Sequence, residues 1–108
     1  MLIEISTEPH IQGQRPLIER VYAMVEASVG RHAGRVSRVL VHLGEDQDSA
    51  ELPSNPDHVR CAIEVRLSGR SPRGVSHHAR KIEDAVSGAV SKLSRTIERA
   101  VGITATAH

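Results

Sequence analysis

The stretch Val59-Arg60-Cys61-Ala62-Ile63-Glu64-Val65-Arg66-Leu67 alternates between two kinds of residue along its whole length. Successive side chains of a strand point to opposite faces, so this spacing predicts a strand with Val59, Cys61, Ile63, Val65 and Leu67 buried. Arg60, Ala62, Glu64 and Arg66 fall on the other, wetter face. A sheet with one apolar face needs a cover on that face alone. The cover must come from the flanking sequence.

Upstream, Val36–Leu43 has the same period, with Val39, Val41 and Leu43 opposite Arg38, Leu40 and His42. Downstream, SGRSPRG over 68–74 has the composition of a turn, and 75–79 returns as a strand with Val75, His77 and Ala79 facing inward. Leu2–Ser6 is a further short strand. Two segments carry helical periodicity instead. From Pro16, the positions Leu17, Ile18, Val21, Tyr22, Val25 and Val29 recur at i, i+3, i+4 spacing until Gly30–Gly34. From Lys81 to Val101, Ile82, Val86, Ala89, Leu93, Ile97 and Ala100 form one apolar stripe. The order β-α-β-β-β-α predicts an α+β two-layer sandwich, in which a four-stranded, mostly antiparallel sheet carries both helices on one face.

At 108 residues and 11.7 kDa the chain is expected to form a single domain, 1–108, with its core over about 2–101 and a frayed tail at 102–108. The segment 44–58 reads as an acidic loop, with Pro53 and Pro56 opposing regular structure. Tyr22 is the sole aromatic residue, which removes both an aromatic-lined cofactor pocket and a base-stacking platform. No apolar run is long enough to span a membrane, and Glu4 and Glu8 interrupt the opening residues as they would not in a secretory signal. A cytoplasmic location is the expectation. The single cysteine, Cys61, falls on the apolar face and reads as a small hydrophobe of the core.

The net charge of +1 hides an uneven distribution. Residues 44–58 hold five acids and neither Lys nor Arg, so the rest of the chain sets 14 basic residues against 8 acidic ones. On the second helix, at about 100° per residue, Lys81, Lys92, Arg95 and Arg99 fall within roughly 220° to 280° of Ile82, while Glu83, Asp84 and Glu98 lie elsewhere. Gly88 occupies the gap in this row, where it is expected to leave the approach open. On the first helix Arg20 and Arg31 are about three turns apart and predict a second basic row. Helix flanks are where Lys and Arg ordinarily sit, their stems covering the core edge. The second-helix row differs in being nearly free of acid, which suits a ladder of phosphates.

Other constellations carry less. His77 and His78 are strand neighbours whose side chains diverge, and no set of His, Cys and carboxylates has compact metal-ligand spacing. No Ser-His-Asp arrangement, paired-carboxylate motif or Gly-rich phosphate cradle stands out, so neither an enzyme nor a cofactor is expected.

Taken in order, IEIST in the first strand, RPLIERVYAMVEASVGRHAGRVSRVLVHLGE as helix, turn and strand, VRCAIEVRLSG, and DAVSGAVSKLSRTIERA as the last helix resemble the ribosome hibernation-promoting factor and ribosome-associated inhibitor family. The resemblance runs from Leu2 to about Val101. It implies a fold similar in shape to a double-stranded RNA-binding domain, in the family's short form. It further implies a non-enzymatic translation regulator that binds the small ribosomal subunit and its rRNA, blocks the mRNA and tRNA channel during hibernation or stress, and uses no small-molecule substrate or membrane. The rRNA contact would fall to Lys92 and Arg95, and then to Arg99, Lys81 and Arg20; the charge pattern adds Arg31. Glu19 and Glu26 stand on the first helix where members of the family are often lysine-rich. The competing reading is a protein-interaction or homodimerisation module that pairs with itself or another protein through an edge strand or through the open sheet face, where Arg60, Glu64 and Arg66 would pair charges across a dimer.

Overall fold

The computed structural model describes residues 1–8, 15–32, 34–45 and 59–101. Strand β1 (Leu2–Thr7) leads to helix α1 (Arg15–Val29), which ends in a 3-10 turn (Gly30–His32). Strands β2 (Val36–Glu45), β3 (Val59–Leu67) and β4 (Arg73–Ala79) follow, and helix α2 (Ile82–Val101) closes the domain. The sheet order is β1-β2-β3-β4. β1 runs parallel to β2, with Leu2 opposite Arg38 and Thr7 opposite Leu43, and the other two pairings are antiparallel. A parallel neighbour requires a crossover, which is the place α1 takes in the topology.

The alternation in β3 survives intact: Val59, Cys61, Ile63, Val65 and Leu67 are all buried. They meet Val39, Val41 and Leu43 of β2, Val21, Val25 and Val29 of α1, and Ala85, Val86, Ala89, Leu93 and Ile97 of α2 in one core. This core contains no aromatic ring. Branched aliphatic side chains and alanines fill it, each buried Val, Leu or Ile contributing about 1.5–3 kcal/mol relative to exposure.

α1 and α2 lie side by side and run in the same direction. Arg20, early in α1, meets Glu83 at the start of α2, and Ser28 near the end of α1 meets Ser94 late in α2, with their hydroxyl oxygens 2.7 Å apart. Ser28 is buried, so this bond satisfies a polar group that the helix packing takes from water.

β1 runs on to Thr7 and α1 starts at Arg15, each one residue beyond the sequence expectation, and three more boundaries differ. β2 continues through Gly44 and Glu45, which pair with Arg60 and Val59, so these two residues belong to the sheet; the remainder of the expected acidic loop lies outside the described residues. β4 begins at Arg73, because the reversal after β3 is tighter than SGRSPRG suggests. Arg70 N donates to Leu67 O at 3.1 Å, and Gly69 takes the left-handed conformation (φ 74°) that a turn of this kind demands. Lys81 precedes α2 instead of opening it, its carbonyl accepting from Ala85 N at 3.0 Å. The expected frayed tail, 102–108, lies outside the described residues.

Candidate nucleic-acid interface

α2 presents three sides. One buries the aliphatic stripe, a second carries Glu83 and Ser94 toward α1, and the third overhangs β4. Lys92, Arg95 and Arg99 share this third side. With Val75 and Thr96 they line a shallow groove of about 330 Å³ between α2 and β4. Lys92 Nζ donates to Ser76 O of β4 at 2.8 Å, and Arg95 Nε reaches Ser91 O of its own helix at 3.5 Å. All three cations are exposed. At 1.5 Å per residue, Lys92, Arg95 and Arg99 advance by steps of about 4.5 and 6 Å along the helix axis. No acid lines the groove.

The contact between α2 and β4 is set by a glycine. A Cβ at Gly88 would overlap the His77 ring, so the helix lies close to the strand at this point only because position 88 has no side chain. The gap expected to be open within the basic row is filled by imidazole. His77 does face inward, as the strand alternation predicts, and it is what occupies the approach to Gly88.

The structure separates the six cations expected at the site. Lys92, Arg95 and Arg99 come together in one groove. Lys81 stands exposed just before α2. Arg20 does not belong to an outer row: its Nη1 lies 2.7 Å from Glu83 Oε2, in an ion pair between the helices. Arg31 is exposed in the 3-10 turn, beyond the end of α1, so the helical spacing that aligned it with Arg20 does not apply. The second basic row is therefore absent among the described residues. Arg73, at the start of β4, adds charge at this edge that helix periodicity could not reveal.

The open face of the sheet forms another concavity, about 650 Å³, with Leu40, Ala62 and Gly74 along its floor and Glu4, Ser6, His42, Arg60 and Glu64 around it. Its charges are largely engaged within the chain. Arg38 holds Glu4, and Arg66 Nε lies 3.2 Å from Glu64 Oε1, so two of the three residues expected to pair across a dimer pair with one another. At one end of this face Ser6 Oγ lies 2.9 Å from His42 Nδ1, and His42 Nε2 is 3.4 Å from Glu8 Oε2. The fold gathers these three from distant positions, which local sequence spacing does not show. The trio lies where the chain leaving β1 is fastened to β2. Glu8 N donates to Leu43 O at 3.0 Å, Glu8 Oε1 accepts from Glu45 N at 3.1 Å, and the carboxylate occupies the space over Gly44.

Cys61 is fully buried, and desolvation pushes its thiol up to about 12. Such a group stays neutral and unreactive, as a packing residue does. Among the described residues no three His, Cys, Asp or Glu side chains are grouped to hold a metal ion, and no helix is long and apolar enough to cross a membrane.

No family model and no curated protein matches this chain. Solved structures do. The N-terminal domain of Protein Y from Thermus thermophilus superposes with a TM-score of 0.69 at 16% identity, covering 92% of this chain and 98% of that one. A ribosomal subunit interface protein from Coxiella burnetii superposes with a TM-score of 0.70 at 14% identity, covering 94% and 99%. Both are of the kind that the sequence resemblance pointed to. Over more than nine-tenths of its length, the chain is similar in fold to a Protein Y N-terminal domain and to a ribosomal subunit interface protein.

Proposed function

We propose that the chain is a non-enzymatic regulator of translation that binds the small ribosomal subunit through rRNA and occludes the channel used by mRNA and tRNA. The observation that carries this reading is the acid-free row Lys92, Arg95 and Arg99, exposed beside β4. Phosphates need charge at repeated intervals and no base reading, and Arg offers planar paired donors for them. The fold likeness to a ribosomal subunit interface protein supports the choice of partner. Occlusion is steric and requires no bond to be made or broken. Lys81 and Arg31, both exposed, extend the contact at its margins; Arg20 contributes least, since Glu83 already neutralises it. The place of action is the cytoplasm, where ribosomes are.

The test is cosedimentation with purified small subunits over a salt series. Binding should be present at low salt and decline steeply as salt rises. The double variant Lys92→Glu with Arg95→Glu should remain folded by circular dichroism and lose most of its binding. Equal binding by this variant would move the interface elsewhere on the molecule.

A further inference from the structure

β4 is an edge strand. One side is paired to β3 from Val59 opposite Ala79 to Val65 opposite Arg73, and no described strand lies along the other. In an antiparallel ladder the N–H and C=O of one residue point to the same side, and the side alternates with each residue. The bond from Lys92 Nζ to Ser76 O marks the carbonyl of Ser76 as facing outward, toward the overhanging flank of α2. The alternation places the N–H of Ser76 and both backbone groups of Gly74 on that same outer side.

An edge of this kind is a template for another strand. What it admits is decided by charge. Lys92, Arg95 and Arg99 run beside it, Arg73 opens the strand and Arg80 follows it. A second copy pairing through the same edge would set two such rows against each other, an unfavourable meeting of like charges. Same-face side chains of a strand recur about every 6.5–7 Å, and the seven helical steps from Lys92 to Arg99 advance about 10.5 Å. Two or three successive same-face acids span that distance.

We propose that the β4 edge accepts an extended acidic segment of a protein partner as a fifth strand. The peptide backbone pairs with Gly74 and Ser76, and alternate Asp or Glu side chains settle on Lys92, Arg95 and Arg99. On docking, Lys92 Nζ leaves Ser76 O, a peptide N–H takes its place on that carbonyl, and the ammonium passes to a carboxylate. A neutral strand would displace Lys92 without giving it a partner, so the lysine selects for acid. This site is distinct in kind from an RNA contact, because it uses the backbone of an edge strand. The two occupants share Lys92 and Arg95 and so exclude one another.

The experiment uses the full chain and no RNA, so its result is independent of the ribosome reading. A fluorescein-labelled peptide of about eight residues alternating Thr and Glu is titrated by anisotropy at low salt, and amide exchange is followed by NMR. We expect saturable binding with slowed exchange at Ser76. Replacing each Thr by Pro keeps the charge but prevents a strand, and should weaken binding about tenfold or more. Lys92→Gln should weaken the Thr-Glu peptide several-fold and narrow its advantage over a Thr-Gln peptide. Equal binding of the proline peptide, absence of protection at Ser76, or no binding at all would overturn the proposal.

Discussion

The imidazole of His77 fills the space that a side chain at position 88 would need. Elsewhere in a helix, replacing Gly by Ala gains about 1 kcal/mol of stability. Here the methyl would have to displace a ring held between strand and helix, and overpacking of that kind costs about 1–3 kcal/mol. We expect Gly88→Ala to be destabilising in urea denaturation, and the same substitution in a His77→Ala background to be stabilising. If the sign does not change between the two backgrounds, the ring is not what excludes the methyl.

The interface assignment separates arginines that formal charge treats alike. Arg95→Gln should lower the slope of log K against log salt for small-subunit binding by about 0.7 to 0.9, the effect of one lost phosphate contact. Arg20→Gln removes the same charge but from an ion pair with Glu83, and should leave the slope unchanged. Equal effects would mean that net charge, and not the α2 flank, governs association.

The Arg20–Glu83 pair has its own signature. Both side chains are about half exposed, at 56% and 50%, so the coupling across a double-mutant cycle should be modest, about 0.2–1 kcal/mol, and should shrink with added salt. Chemical denaturation of the two single variants and the double variant measures it. A coupling of several kcal/mol would show that the pair is better shielded from water than its exposure indicates.

Cys61 should be silent in the folded protein. Burial raises its thiol from 9.0 to about 12, so the folded state holds that proton more tightly than the unfolded chain does. The resulting stability is fully present below pH 9 and is lost as pH rises from there toward 12. Stability should therefore fall less steeply over this interval in Cys61→Ala, although that variant starts lower. At pH 8, iodoacetamide should label Cys61 in urea and spare it in buffer. Prompt labelling of the native protein would contradict the packing of β3 under the helices.

Much of the architecture was legible because each element carries one periodicity from end to end. β3 shows a period of two without exception, and the stripe from Ile82 to Ala100 keeps helical spacing throughout. What misled was information that belongs to contacts between elements. Lys92, Arg95 and Arg99 lie on one helix, so their shared side followed from spacing alone. Arg20 looked equivalent until α2 brought Glu83 beside it, and Arg31 fell out of line because α1 gives way to a 3-10 turn at Gly30. Gly88 looked like open space, because nothing local to α2 announces that β4 places His77 against it. Ser6, His42 and Glu8 come together only through the parallel pairing of β1 with β2.

That parallel pairing also bears on how the polypeptide acquires its shape. Leu2 finds its partner at Arg38, beyond an entire helix, whereas β3 and β4 meet across a tight reversal. Contacts between distant positions form late, because the intervening chain must first give up its freedom. β1 is made before its partner β2, so Ile3 and Ile5, which are half-buried in the folded sheet, wait uncovered until the strand they need has emerged.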